Sequence, residues 1–174
     1  MHLNPYGEDA VNLAAALANR RPATAGELAE RCQDAGLVLE SPVTPQDLDR
    51  TLAVLDAWEQ VVDAADEQAR AELVNRMLAA SAAHPRLTDH AGSGWHLHYR
   101  DDHRPLGSVL SSLISVGTAL HLVGRGMHRL RRCAVHGCST IFADTSRTGR
   151  QRYCSHRCAN LDAVRRHRAR AARS

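Results

Sequence analysis

Cys133-Ala-Val-His-Gly-Cys138 and, fifteen residues further on, Tyr153-Cys154-Ser-His-Arg-Cys158 are the stretches that decide how this chain is read. They form two close cysteine pairs, C-x4-C and C-x3-C. A tetrahedral Zn²⁺ site needs four soft ligands delivered by two short chelating turns, and this spacing supplies them. Cys133, Cys138, Cys154 and Cys158 are therefore the predicted metal ligands, with His136 and His156 inside the turns as substitutes for a cysteine. Four thiolates would leave zinc no open coordination position, so the predicted site is structural, not catalytic.

Charge divides the chain in two. Residues 1–124 hold 9 arginines against 17 acidic residues, whereas residues 125–174 hold 13 arginines against 2 aspartates. The sequence contains no lysine. The two parts thus carry fields of opposite sign, and the basic part is the candidate polyanion surface. The expected domains are an acidic helical unit over 1–124 and a basic zinc module over 125–174, joined at Gly124-Arg-Gly126. Alanine and leucine dominate the apolar fraction, which favours helix over sheet. The paired cysteines and the absence of a basic n-region before an apolar core predict a reducing, cytoplasmic setting. Leu106 to Val123 is apolar but broken by Ser108, Ser111, Ser112, Ser115, Gly117, Thr118 and His121, so it reads as a buried helix and not a membrane span.

Helix signals recur along the first part. Val11, Leu13, Ala14 and Leu17 mark a first helix ending near Asn19-Arg-Arg-Pro22. Thr24-Ala-Gly-Glu27 is a capping-box pattern opening a second helix that runs to Gly36. Thr44-Pro45 starts a third, with Leu48, Leu52, Leu55 and Val62 at helical spacing beside Trp58 and Val61. A fourth covers about Glu67 to Ala80. Ala91-Gly-Ser-Gly94 reads as a turn, and Trp95, Leu97 and Tyr99 alternate with His96 and His98 as a half-buried strand of a hairpin. Trp58, Trp95 and Tyr99 are expected in the core. The cluster of His90, His96, His98 and His103 reads as the wet side of that hairpin, and Ser111 and Ser112 lack any base or oxyanion loop. No catalytic residue is predicted.

In the second part, Cys133–Cys138 is expected to form a knuckle, with Ile141-Phe142 and Arg152-Tyr153 as two strands of a hairpin. Ser155 is placed to cap a helix that carries Cys158 in its first turn. The expected fold is mainly α with a small β-hairpin: a helical N-terminal domain followed by a treble-clef-like zinc finger. On the last helix Arg166, Arg170 and Arg173 fall on one stripe, and Asp162 precedes Arg166 at i, i+4. Leu161 and Val164 are expected to pack that helix against the hairpin. Arg147, Arg150, Arg152 and Arg157 add charge around the site.

The run Cys133-x4-Cys138-x3-Phe142-x-Asp144-x-Ser146 … Arg152-Tyr-Cys154-Ser … Cys158-Ala-Asn160 … Arg165-Arg-His-Arg-Ala-Arg170 resembles the CGNR zinc finger. That bacterial module stands behind an N-terminal ABATE domain in putative stress-induced transcription regulators. Upstream, Asp9-Ala-Val-Asn12, Glu27-Leu-Ala … Ala-Gly36-Leu37 and Arg129-Leu-Arg-Arg-Cys133 fit the same architecture. The resemblance implies a DNA-binding transcriptional regulator with bound Zn²⁺, and it adds Asn160, Arg165 and Arg168 to the expected nucleic-acid contacts. An N-terminal unit that dimerises or senses a small effector goes with it. The family's Cys-Gly-Asn-Arg is here Cys158-Ala159-Asn160-Leu161, so the arginine after the last ligand is lost. A protein- or RNA-interaction module is the alternative function. A nuclease would need an exposed His–metal pair beyond the zinc, and none stands out.

Overall fold

The computed structural model describes residues 7–89, 95–101 and 103–172. Helices α1 (Glu8–Asn19), α2 (Ala25–Asp34), α3 (Pro45–Val62), α4 (Glu67–Ser81) and α5 (Leu106–Arg125) build the first part. Thr24 and Thr44 both cap as expected, though at α2 the Glu27 carboxylate takes the Ala23 amide and not that of Thr24. Thr24 Oγ1 accepts the Glu27 amide at 3.1 Å to cap α2, and Asp66 accepts the Ala69 amide at 2.8 Å to cap α4. At α3 the box is reciprocal: Thr44 Oγ1 takes the Asp47 amide at 3.3 Å, and Asp47 Oδ2 takes the Thr44 amide at 2.9 Å.

The core forms around α5, which packs against α1, α3 and α4. Leu17, Leu28, Leu55, Trp58, Leu110 and Ile114 are fully buried there. A helix with this many hydroxyls can enter a core because the hydroxyls bond to the helix itself or to its neighbours. Ser111 and Ser115 donate to carbonyls one turn back, each at 2.7 Å, and Thr118 Oγ1 accepts the Trp58 indole N–H at 2.9 Å. α5 is the described helix long and apolar enough to cross a membrane, yet more than half of it is buried inside the fold. Gly7 lets α1 begin against α5: its φ is +61°, and a Cβ there would stand 2.0 Å from the Gly117 carbonyl oxygen.

Asp47 locks the start of α3 to the start of α5, because its second oxygen accepts the Gly107 amide at 2.7 Å. Burial raises the Asp47 pKa, but the bonds from Gly107 and Thr44 outweigh it and hold the carboxyl below its ordinary value of 3.8. A depressed carboxyl contributes stability that is complete above the unfolded-state pKa and is lost as pH falls through the folded one. Asp47→Ala is therefore expected to cost about 2 kcal/mol near pH 7, from the lost cap and the orphaned Gly107 amide. In urea titrations the gap between wild type and variant should close as the pH drops below about 4. A gap constant from pH 7 to pH 3 would remove this role.

Strands β1 (Arg86–Thr88) and β2 (His96–His98) pair antiparallel, with Leu87 opposite Leu97. The turn expected at 91–94 and His90 lie outside the described residues. Trp58 is in the core as expected, but Trp95 is 75% exposed and Leu97 also faces solvent. A two-stranded ladder three residues long has no second layer to bury a face against, and Trp95 precedes the paired segment.

After α5 the chain makes a 3₁₀ turn at Met127–Arg129 and enters β3 (Leu130–Arg132), β4 (Ile141–Ala143) and α6 (His156–Ala171). The expected partner strand at Arg152-Tyr153 is absent. β4 pairs instead with β3, Leu130 opposite Ala143 and Arg132 opposite Ile141. The physical reason is the knuckle itself: Cys133–Cys138 sits at the hairpin tip, and the Cys133 amide donates to the Thr140 carbonyl at 2.8 Å, so the flanking segments already face each other. Residues 152–154 bend to deliver Cys154, and the backbone bond to this hairpin runs from the Ala134 amide to the Arg152 carbonyl.

The residues after the expected joint are held to the helical layer. Leu130, Ile141 and Ala143 belong to the same apolar cluster as α1. The Asn19 side chain takes both backbone groups of Ile141, each at 2.8 Å, and so covers the open edge of β4. Arg132 forks onto Asp63 at 2.7 Å and reaches Glu59 at 3.0 Å. Arg70 donates to the Val61 and Val62 carbonyls at the end of α3 and to the Met127 carbonyl.

Candidate metal centre and basic helix

The four predicted cysteines converge. Their sulfurs all lie within 4.8 Å of one another, and among the described residues this is the group arranged to hold a metal ion. The Cys138–Cys154 separation is 3.9 Å, Cys138–Cys158 is 3.9 Å and Cys154–Cys158 is 3.6 Å. A tetrahedron with Zn–S bonds of about 2.3 Å has edges of about 3.8 Å. A disulfide would instead bring two sulfurs to about 2.05 Å. The cluster therefore fits a four-coordinate metal and not two bridges. His136 and His156, the substitutes left open by spacing, are exposed and stand outside it.

The local structure explains how the sulfurs are aimed. Gly137, at φ +87°, turns the knuckle, and the Cys138 amide closes it on the Val135 carbonyl at 2.9 Å. Ser155 caps α6 as expected, its Oγ accepting the Cys158 amide at 3.3 Å, which fixes the last ligand in the first helical turn. The Cys154 amide points at Cys133 Sγ, 3.5 Å away. Hydrogen bonds from the Thr140 hydroxyl and amide draw the Cys138 thiol down to about 6. Burial and then the neighbouring Cys158 push Cys154 up to about 12. Bound metal would supply the positive charge that lets all four sulfurs ionise together.

The loop between β4 and Cys154 is organised by Asp144, which the sequence marks only as a member of the family motif. Asp144 is fully buried, and its oxygens accept the Ser146 amide at 3.0 Å, the Ser146 hydroxyl at 2.5 Å and the Gln151 amide at 2.9 Å. Burial raises its pKa, but these bonds and the nearby Arg129 bring it below the ordinary carboxylate value. Arg129 fastens the loop from the other side through the Asp144 and Ser146 carbonyls. The Asp-x-Ser spacing is the local signal for such a turn.

The expected nucleic-acid contacts are distributed as follows. Arg147, Arg150 and Arg152 are exposed on the loop, with the Arg152 guanidinium 5.8 Å from the Tyr153 ring centre. Asn160, Arg165, Arg166, Arg168 and Arg170 are exposed on α6, and Arg173 lies outside the described residues. Arg165 donates to the His136 carbonyl at 3.2 Å, and Arg166 pairs with Asp162 at 2.8 Å, the acid-first pair expected from spacing. Asp162 also accepts the Tyr153 hydroxyl at 2.6 Å. Leu161 and Val164 do not pack on the hairpin: they are 43% and 47% exposed, and α6 has no buried residue at all. The hairpin that was to cover them is built from β3 instead and turned toward α1.

Two family models match the chain. Residues 9–133 match ABATE, "Putative stress-induced transcription regulator", and residues 129–171 match the CGNR zinc finger. No curated protein matches it.

Proposed function

We propose that this chain, which belongs to the ABATE family of putative stress-induced transcription regulators and carries a CGNR zinc finger at its C-terminus, is a DNA-binding regulator of bacterial transcription. The observation that carries the reading is the pairing of one geometry with one charge pattern. Four sulfurs at tetrahedral spacing fix the first turn of a helix with five arginines, one aspartate and no buried face. Zinc held by Cys133, Cys138, Cys154 and Cys158 would be structural, with no open position for a substrate. Its chemistry would be to bind four thiolates at once and so hold the knuckle and α6 together. The arginines of α6 and of the 147–152 loop then meet phosphates, while the acidic residues of 1–124 keep that part away from the duplex.

In this reading the chain is a cytoplasmic regulator and not an enzyme. Residues 1–124 dimerise or sense an effector, and 125–174 contact DNA. The ties from Asn19, Arg70 and Arg132 across the two parts give any change in the helical layer a physical route to the finger. Mapping the genomic positions of the tagged full chain tests the proposal. Reproducible sites near promoters, lost when Arg157, Arg168 and Arg170 are replaced by alanine, are expected. Occupancy indistinguishable from an untagged control would sink it.

A further inference from the structure

The inner side of α6 is marked by what it touches. Cys158 joins the sulfur cluster, Asp162 meets Tyr153, and Arg165 meets the knuckle carbonyl of His136. At about 100° per residue these three share one side of the helix. The opposite side is then occupied by Asn160, Ala163, Val164 and His167, at i, i+3, i+4 and i+7. All four are exposed.

That outermost strip carries no arginine, although the helix has five. A helix kept soluble by its charges would place them farthest from the fold. Here they flank the strip, with Arg157 and Arg168 along one border and Arg166 and Arg170 along the other. The major groove of B-DNA asks for this pattern. It is about 12 Å wide, walled by phosphates on both sides, and floored by base edges that asparagine reads through hydrogen bonds and small apolar groups read at the thymine methyl. A histidine ring nitrogen also reaches base-edge acceptors or donors. From Asn160 to His167 the helix rises roughly 10 Å, which spans about three base pairs. The exposed Val164, unexplained as packing, has an apolar target there.

We infer that Asn160, Val164 and His167 form a base-reading strip that α6 lays in the major groove, with Arg157 and Arg168 on one phosphate wall and Arg166 and Arg170 on the other. The inference rests on the DNA-binding reading and adds sequence selectivity to it. Ala163 completes the strip by letting the helix backbone approach the base edges.

The test uses the zinc-loaded full chain and a duplex pool with a randomised centre. Wild type is expected to enrich a motif. The Asn160→Ala/His167→Ala variant should lose roughly tenfold or more of the preference for that motif over unselected duplex, with a much smaller change in affinity for unselected duplex. Arg157→Ala/Arg168→Ala should do the reverse, weakening every duplex and leaving the preference standing. The replaced side chains are exposed, so zinc content and helix signal check that folding is intact. An unchanged motif in the Asn160/His167 variant overturns the inference. Tight binding by wild type without any enriched motif also overturns it and spares the DNA-binding reading. No binding to any duplex removes both.

Discussion

Stripping the metal with a chelator, or replacing Cys154 with serine, is expected to melt the knuckle and α6 while α1 to α5 stay folded. The argument is one of missing alternatives. α6 has 16 residues and buries none of them, and an isolated helix of that length is marginal in water. Its anchors are the Ser155 cap, the Tyr153–Asp162 and Arg165–His136 bonds, and Cys158. Hydrogen bonds this open to water add little, against about 10–16 kcal/mol for a structural zinc. β3 and β4 should survive, because Leu130 and Ile141 are buried with the helical core and Asn19 holds the strand edge. Hydrogen exchange on the full chain checks this: loss of protection over 133–138 and 154–171 alone, with 141–143 still protected, and recovery on one equivalent of zinc. A metal-free chain whose α6 amides stay as protected as in the zinc form would contradict it.

Thr24, Thr44 with Pro45, and Ser155 each stand where a helix begins, because a cap is a local bond between residues three apart and leaves a local trace. The cysteine quartet was legible for a similar reason: chelating turns are short, and their spacing survives in the chain. β3 was not legible. Leu130-Arg-Arg has no alternation to read, and it becomes a strand because the knuckle folds 141–143 back onto it. Asn19 gave no signal, since it acts across 122 positions on Ile141. Asp144 stands out in the sequence only through the family motif, and its full burial and three accepted bonds show it to be the organiser of its loop. Leu161 and Val164 depart from a sound rule, that apolar residues at helical spacing are buried. The rule fails where a helix has no apolar layer against it.

Replacing Arg157, Arg168 and Arg170 with alanine is expected to weaken binding to every duplex and to make it far less sensitive to salt. All three are exposed on α6, and neither Asp162, which pairs with Arg166, nor His136, which takes Arg165, is disturbed by removing them. Each arginine that neutralises a phosphate releases condensed counterions, so log K falls with log salt by about 0.9 per contact. The most direct measurement is therefore the affinity of the zinc-loaded full chain for a duplex, titrated across salt concentrations for wild type and the triple variant. The account predicts a steep wild-type slope and a variant slope shallower by about 2.7. Two superimposable lines would show that α6 does not lie on DNA.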